Sequence, residues 1–190
     1  MQNSKKKLQI FVAVFLAVSL VISIASSAYS YVWISGPPTF FDRYYYTYTC
    51  NYKISSGTPN VTTAFNFAVI EWNNAINKLS MTQSSSSANI LYDYYNASSP
   101  DRGGVVYSQN SGSNWYLQFN VWINTSCPPY GSTGTDPVYY KSTACHELGH
   151  VFGLAHTTGT VIMNTDRNLS SIYYPRSDDI NGVKARYQIQ

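Results

Sequence analysis

Val61, Phe65, Ala68, Val69, Trp72, Ile76 and Leu79 recur at steps of three and four residues. That spacing lines up one apolar stripe on a helix, so a helix is predicted over Val61–Leu79, with Asn60 as its N-cap. Elsewhere the period shortens to two. "YYYTYTCNYKI" (44–54), "NILYDYY" (89–95), "VVYS" (105–108) and "WYLQFNVWIN" (115–124) read as strands. The segments between them are polar or rich in turn residues: "QSSSSA" (83–88), "NASSPDRGG" (96–104), "SGSN" (111–114) and "TSCPPYGSTGT" (125–135). A further helix is predicted from about 137 to 152. Asp136 caps it, Pro137 takes its first position, and Gly153 ends it. Strand, helix, three strands and a helix, with no internal repeat, predict an α+β fold: a mixed sheet backed by helices.

One apolar run has neither period. Ile10–Ile24, "IFVAVFLAVSLVISI", follows Lys5, Lys6 and Lys7 and leads to small residues at Ser26 and Ala28. A basic head, an apolar middle and a small-residue exit describe a secretory signal peptide over 1–28, cut after Ala28. The alternative is an uncleaved anchor at the cell surface over 8–24, a stretch of 17 residues at the short limit for spanning a bilayer. Either way the remainder lies outside the cytoplasm. Residues 29–43 contain "SGPP" and read as an N-terminal arm, and 44–190 as a single domain. No segment before the first strand is long enough for an inhibitory pro-domain.

Composition supports an extracellular protein. Charged residues make up 11% of the chain, and eighteen tyrosines supply polar surface instead. The three N-terminal lysines account for the whole formal charge of +3. From residue 29 on, nine Lys plus Arg (12 − 3) face nine Asp plus Glu. No basic tract remains for nucleic acid, nor for a membrane surface once the signal is cleaved. Asn-x-Ser/Thr sites stand at Asn60, Asn96, Asn124 and Asn168. Cys50, Cys127 and Cys145 allow one disulfide and one free thiol in an oxidising compartment, with the pairing open.

The candidate chemistry sits in "ACHELGHVFGLAH" (144–156), which holds all three histidines of the chain and one of its two glutamates. His146 and His150, four residues apart on a helix, point the same way one turn apart and can reach one metal ion. Glu147 hangs over the same site without being a ligand. The turn at Gly153 brings His156 back as a third ligand. Three nitrogen ligands leave a fourth zinc position open for water, as in catalytic rather than structural sites. Five set positions matched by chance have a probability on the order of 10⁻⁴ in a chain of this length.

"HELGHVFGLAH" resembles the metzincin pattern HExxHxxGxxH, and "VIMN" follows with Met163 at the distance of a Met-turn. Within the metzincins the chain looks most like the matrixins. Its third ligand is His, no Tyr stands two residues after Met163, and "RSDDINGVKARY" (176–187) is similar to the stretch that opens the matrixins' last helix. The resemblance implies a zincin catalytic domain over 44–190, with a twisted mixed sheet and about three helices. It implies one catalytic Zn2+ on His146, His150 and His156, Glu147 as general base, and Met163 flooring the site. Asp178 and Asp179 match the acidic pair that ties the last helix to the Met-turn and the mature N-terminus. The histidines for a second, structural zinc are missing. Calcium has candidate carboxylates in Asp93 and Asp101, without the glycine-rich pattern. The implied activity is that of a monomeric endopeptidase acting on an extended peptide or protein, paired to an edge strand at 104–108, with 164–175 walling the specificity pocket. The rival is a secreted or surface-anchored zinc-binding or adhesive module without catalysis. Glu147 argues against it, because zinc binding alone does not need that residue.

Overall fold

The computed structural model describes residues 31–34, 42–44, 47–109, 116–127 and 137–189. The signal segment, most of the N-terminal arm, Asp136 and the 111–114 turn lie outside them. Among the described residues, β1 (Val32–Trp33), β2 (Asp42–Tyr44) and β3 (Thr47–Ser55) precede α1 (Pro59–Ala75). Then come β4 (Leu79–Gln83), β5 (Ile90–Tyr94), β6 (Gly103–Gln109), β7 (Tyr116–Asn124), α2 (Pro137–Val151), β8 (Leu154–Ala155) and α3 (Ser177–Arg186). The main sheet is mixed, as expected, in the order β2-β3-β5-β7-β6, with β4 also paired to β3. The β3–β4, β3–β5 and β5–β7 pairs are parallel, while β2 and β6 run antiparallel to their neighbours. The strand expected at 104–108 is therefore an edge strand.

The first helix departs from its prediction at both ends. It begins at Pro59, with Thr58 rather than Asn60 as N-cap. Proline needs no hydrogen-bond partner at a first helical position and already has a helical φ. The helix stops at Ala75, and Leu79 opens a strand that periodicity did not show. Ile76 and Leu79 are still buried, so the stripe marks the core correctly beyond the end of the helix. Asn73 makes the switch: its side chain donates to Met81 O (3.0 Å) and accepts from Met81 N–H (2.9 Å), clamping β4 beside the helix.

Helix α1 packs over β4 and β5, and α2 over β6 and β7. Trp72 locks the two helices together. Its ring lies 4.8 Å from Phe152, and its indole N–H donates to Cys145 O at 3.0 Å. The second small sheet, β1 antiparallel to β8, was also not expected from the pattern.

The three cysteines are buried and none forms a disulfide. Asn124 is fully buried. Its amide donates to Asn96 O and Asp101 O, and its carbonyl accepts from Asn96 N–H and Ser126. It holds two loops together and cannot carry a glycan. No helix among the described residues is long and apolar enough to cross a membrane.

Candidate active site

Helix α2 carries His146, Glu147 and His150 on one side, facing the start of β6. The helix closes with Phe152 N–H on Leu148 O (3.0 Å) and Gly153 N–H on His150 O (2.8 Å). Gly153 then turns at φ +88°, a left-handed conformation that costs glycine little. Two residues of β8 follow, and His156 arrives beside the helix. The imidazole centroids lie 4.8 Å (146–150), 5.1 Å (146–156) and 4.8 Å (150–156) apart. His150 Nε2 and His156 Nε2 are separated by 3.1 Å, and one nitrogen from each ring falls within 4.8 Å of the others.

The donor set suits a metal ion. The Nδ1–H of His146 donates to Ile162 O and that of His150 to Leu154 O, each at 2.7 Å. A carbonyl only accepts, so these short contacts place the protons on Nδ1 and leave Nε2 for a ligand, although Arg167 Nη1 also lies 3.1 Å from His146 Nδ1. All three rings are held neutral at pH 7. Burial drives His146 well below its usual value, aided by the Arg167 guanidinium and His150. Burial takes His150 to about 4 despite its bond to Leu154. His156 is lowered by burial and then by Arg167. Tetrahedral zinc with Zn–N bonds of ~2.0–2.1 Å sets its nitrogens roughly 3.3 Å apart, close to the His150–His156 spacing. No other cluster of this kind occurs among the described residues.

Glu147 is 6% exposed. Burial pushes its carboxyl up to about 8, against the pull of Arg167; a divalent cation on the three imidazoles would bring it back down. Gly103, at the head of β6, makes this carboxylate fit. A Cβ there would lie 2.8 Å from Glu147 Oε1 and 2.9 Å from the Thr143 methyl. The Gly103-Gly104 pair, read from sequence as part of a turn-rich loop, is instead strand placed for close approach.

Met163 is buried beneath the helix. A Cβ on Gly149 would overlap its sulfur, so the glycine between the two helical histidines is what admits the methionine. Asp179 braces this turn from α3. Its carboxylate accepts from Ile162 N–H (2.9 Å), Met163 N–H (3.3 Å) and Arg176 N–H (2.8 Å). It thereby holds Ile162, whose carbonyl orients His146. The expected tie to the Met-turn is thus made by Asp179; a tie to the mature N-terminus falls outside the described residues.

Sequence reasoning missed Arg167. Its guanidinium is buried against His146 and donates to Ser142 Oγ (2.9 Å), Ser142 O (3.0 Å) and Asn164 O (3.0 Å). It fastens the loop after Met163 to α2. With Thr165 it lines a cavity of about 200 Å³ next to His146, Glu147 and His156. Tyr173 of the same loop packs on Phe67, and Tyr174 lies under Arg176. Asp93 accepts from Gly57 N–H and Thr58 Oγ1, anchoring the entry to α1, and Asp101 sits in a local turn where Ser99 Oγ accepts from its N–H.

The chain matches no family model and no curated protein by sequence. Its fold is similar to that of a solved zinc protease. High choriolytic enzyme 1, a hatching-enzyme zinc protease of the medaka fish Oryzias latipes, superposes with a TM-score of 0.51 at 11% identity, over 85% of this chain and 100% of that one. Myroilysin gives 0.47 at 14% identity over 73% and 92%. Archaemetzincin from Archaeoglobus fulgidus gives 0.39 at 12% over 70% and 99%. At these identities the likeness is one of fold. The chain has a metzincin-like α+β fold, and its three histidines converge on the helix that carries HExxH.

Proposed function

We propose that this protein is a secreted zinc-dependent endopeptidase, with one zinc ion on His146, His150 and His156 and Glu147 as general base. One observation carries the reading: three neutral imidazoles and a buried carboxylate converge beside the edge strand of a metzincin-like sheet. A catalytic zinc acidifies a bound water and polarises a carbonyl. Glu147 would take the water's proton and deliver it to the leaving amine. The outer edge of β6 offers backbone groups to an extended peptide, and Gly103 keeps that edge close to Glu147. Within the metzincins we place the chain nearest the matrixins, on His156 as third ligand, Thr165 rather than Tyr two residues after Met163, and the Asp178-Asp179 pair. The segment at 5–28 supports secretion, and the active form is a monomer.

A zinc-binding module without catalysis is the weaker reading. Zinc binding needs only the three imidazoles, yet a buried carboxylate is held beside them, in space that Gly103 leaves open. The test is zinc stoichiometry measured alongside hydrolysis of quenched peptides. Glu147→Ala should keep one zinc and lose roughly 10²–10⁴-fold in cleavage. His150→Ala should lose metal and activity together. A wild-type protein that binds zinc and cleaves no peptide or protein would refute the enzyme.

A further inference from the structure

We propose that Trp33, carried on the N-terminal strand β1, is a specificity residue that receives a bulky apolar substrate side chain on the N-terminal side of the scissile bond. The proposal rests on the endopeptidase reading above. A cavity of about 560 Å³ opens beside Glu147, His150 and His156, within the ~300–1,000 Å³ of ligand pockets. Trp33 and Ile34 line it together with Val105 and Tyr107 of β6. Alternate residues of a strand share a face: Val105 and Tyr107 look into the cavity, while Val106 is exposed on the opposite face.

Trp33 is held in place by its neighbours and lines this cavity. Its indole N–H donates to Gly182 O at 3.0 Å, and Tyr31 stacks on it at 5.7 Å. Its backbone pairs with Leu154, and the next residue is held by Gly153 O (2.9 Å) and by Arg186 (3.2 Å). Even so, 44% of Trp33 is exposed. A large aromatic with its polar atom satisfied and its position fixed offers apolar contact with little ordering left to lose on binding.

The direction of the substrate follows from β6. The strand begins at Gly103, against Glu147, and runs toward Tyr107, whose hydroxyl donates to His150 O at 3.0 Å. Its other neighbour, β7, is antiparallel to it. A peptide added antiparallel on the outer edge has its cut bond level with Gly103 and its preceding residues beside Val105–Tyr107, facing Trp33.

The experiment maps cleavage sites of the zinc-loaded wild type in a mixed peptide library. It then compares kcat/KM for two peptides that differ only by Phe or Ala at the upstream position selected. We expect the wild type to favour Phe at least about tenfold, the scale that apolar pockets achieve. Trp33→Ala should bring the ratio toward one, chiefly through KM, and Trp33→Phe should restore most of it, with zinc content unchanged in both. If Trp33→Ala does not fold, the isosteric Val105→Thr in the same cavity lining should lower the ratio severalfold. Cleavage without an upstream apolar preference, or a preference that survives these substitutions, overturns this proposal and leaves the protease intact. A zinc-bound wild type that cleaves nothing overturns both.

Discussion

Glu147 and the three imidazoles titrate in opposite senses, and this sets the pH dependence of the metal-free protein. The histidines are lowered from 6.5, His150 to about 4. Below pH 6.5 the unfolded chain gains protons that the folded state refuses, so acidification toward 4 favours unfolding. Glu147 is raised from 4.5 to about 8. Its contribution is fully present below 4.5 and is lost as pH rises toward 8, because the unfolded carboxyl ionises first. Three lowered histidines outweigh the raised carboxyls of Glu147 and Asp179 below 6.5, and above it the slope of the raised carboxyls remains. The metal-free protein is therefore expected to be most stable near pH 6.5, as read from thermal melts in chelator between pH 4.5 and 8.5. A melting temperature still climbing at pH 8 would contradict this. Met163 makes a second expectation. Met163 is buried beneath the helix; on the proposed reading it floors the zinc site rather than binding the ion, and Met163→Leu nearly conserves volume. The swap should cost less than about 1.5 kcal/mol and retain zinc and most activity.

Helix α2 presents His146 and His150 through local geometry, while α3 braces the turn whose Ile162 carbonyl orients His146. Asp179 reaches from α3 to the Met-turn and accepts from three backbone N–H groups. Asp179→Ala leaves two of them, on Ile162 and Met163, buried without an acceptor, at roughly 1–3 kcal/mol each. Calorimetry should show a large loss of melting temperature. Zinc affinity should fall as well, because Ile162 O orients His146. Asp179→Asn keeps one acceptor oxygen and should lose less. Equal stability of the alanine variant and wild type would remove Asp179 from this role.

For the molecule as a whole, the expectation is export followed by a single cut. The shape of 5–28 places the mature start near Tyr29, which retains β1 and with it the pairing of Val32 and Trp33 against β8. Intact-mass measurement of secreted protein checks this. A start beyond Cys50 would remove β1, and with it the wall of the larger cavity, and would argue for a pro-segment instead.

How much of this was legible along the chain depends on distance. His146, His150, Gly153 and His156 lie within eleven residues, so helical periodicity and one left-handed turn suffice to bring them together. The longer strands also declare themselves, because one buried face imposes a period of two. Leu79 misled because it continues the stripe of α1 after the helix has ended; Asn73 and the pairing with β3 end the helix, and neither is visible in a periodicity. β1 and β8 are two residues long, too short to show any period. Gly103, Arg167 and Trp33 approach the histidines from 40 or more, 11 or more, and over 100 residues away. Nothing local marks them, since what places each is close packing, a buried hydrogen-bond set or a strand pairing that exists only once the chain has folded.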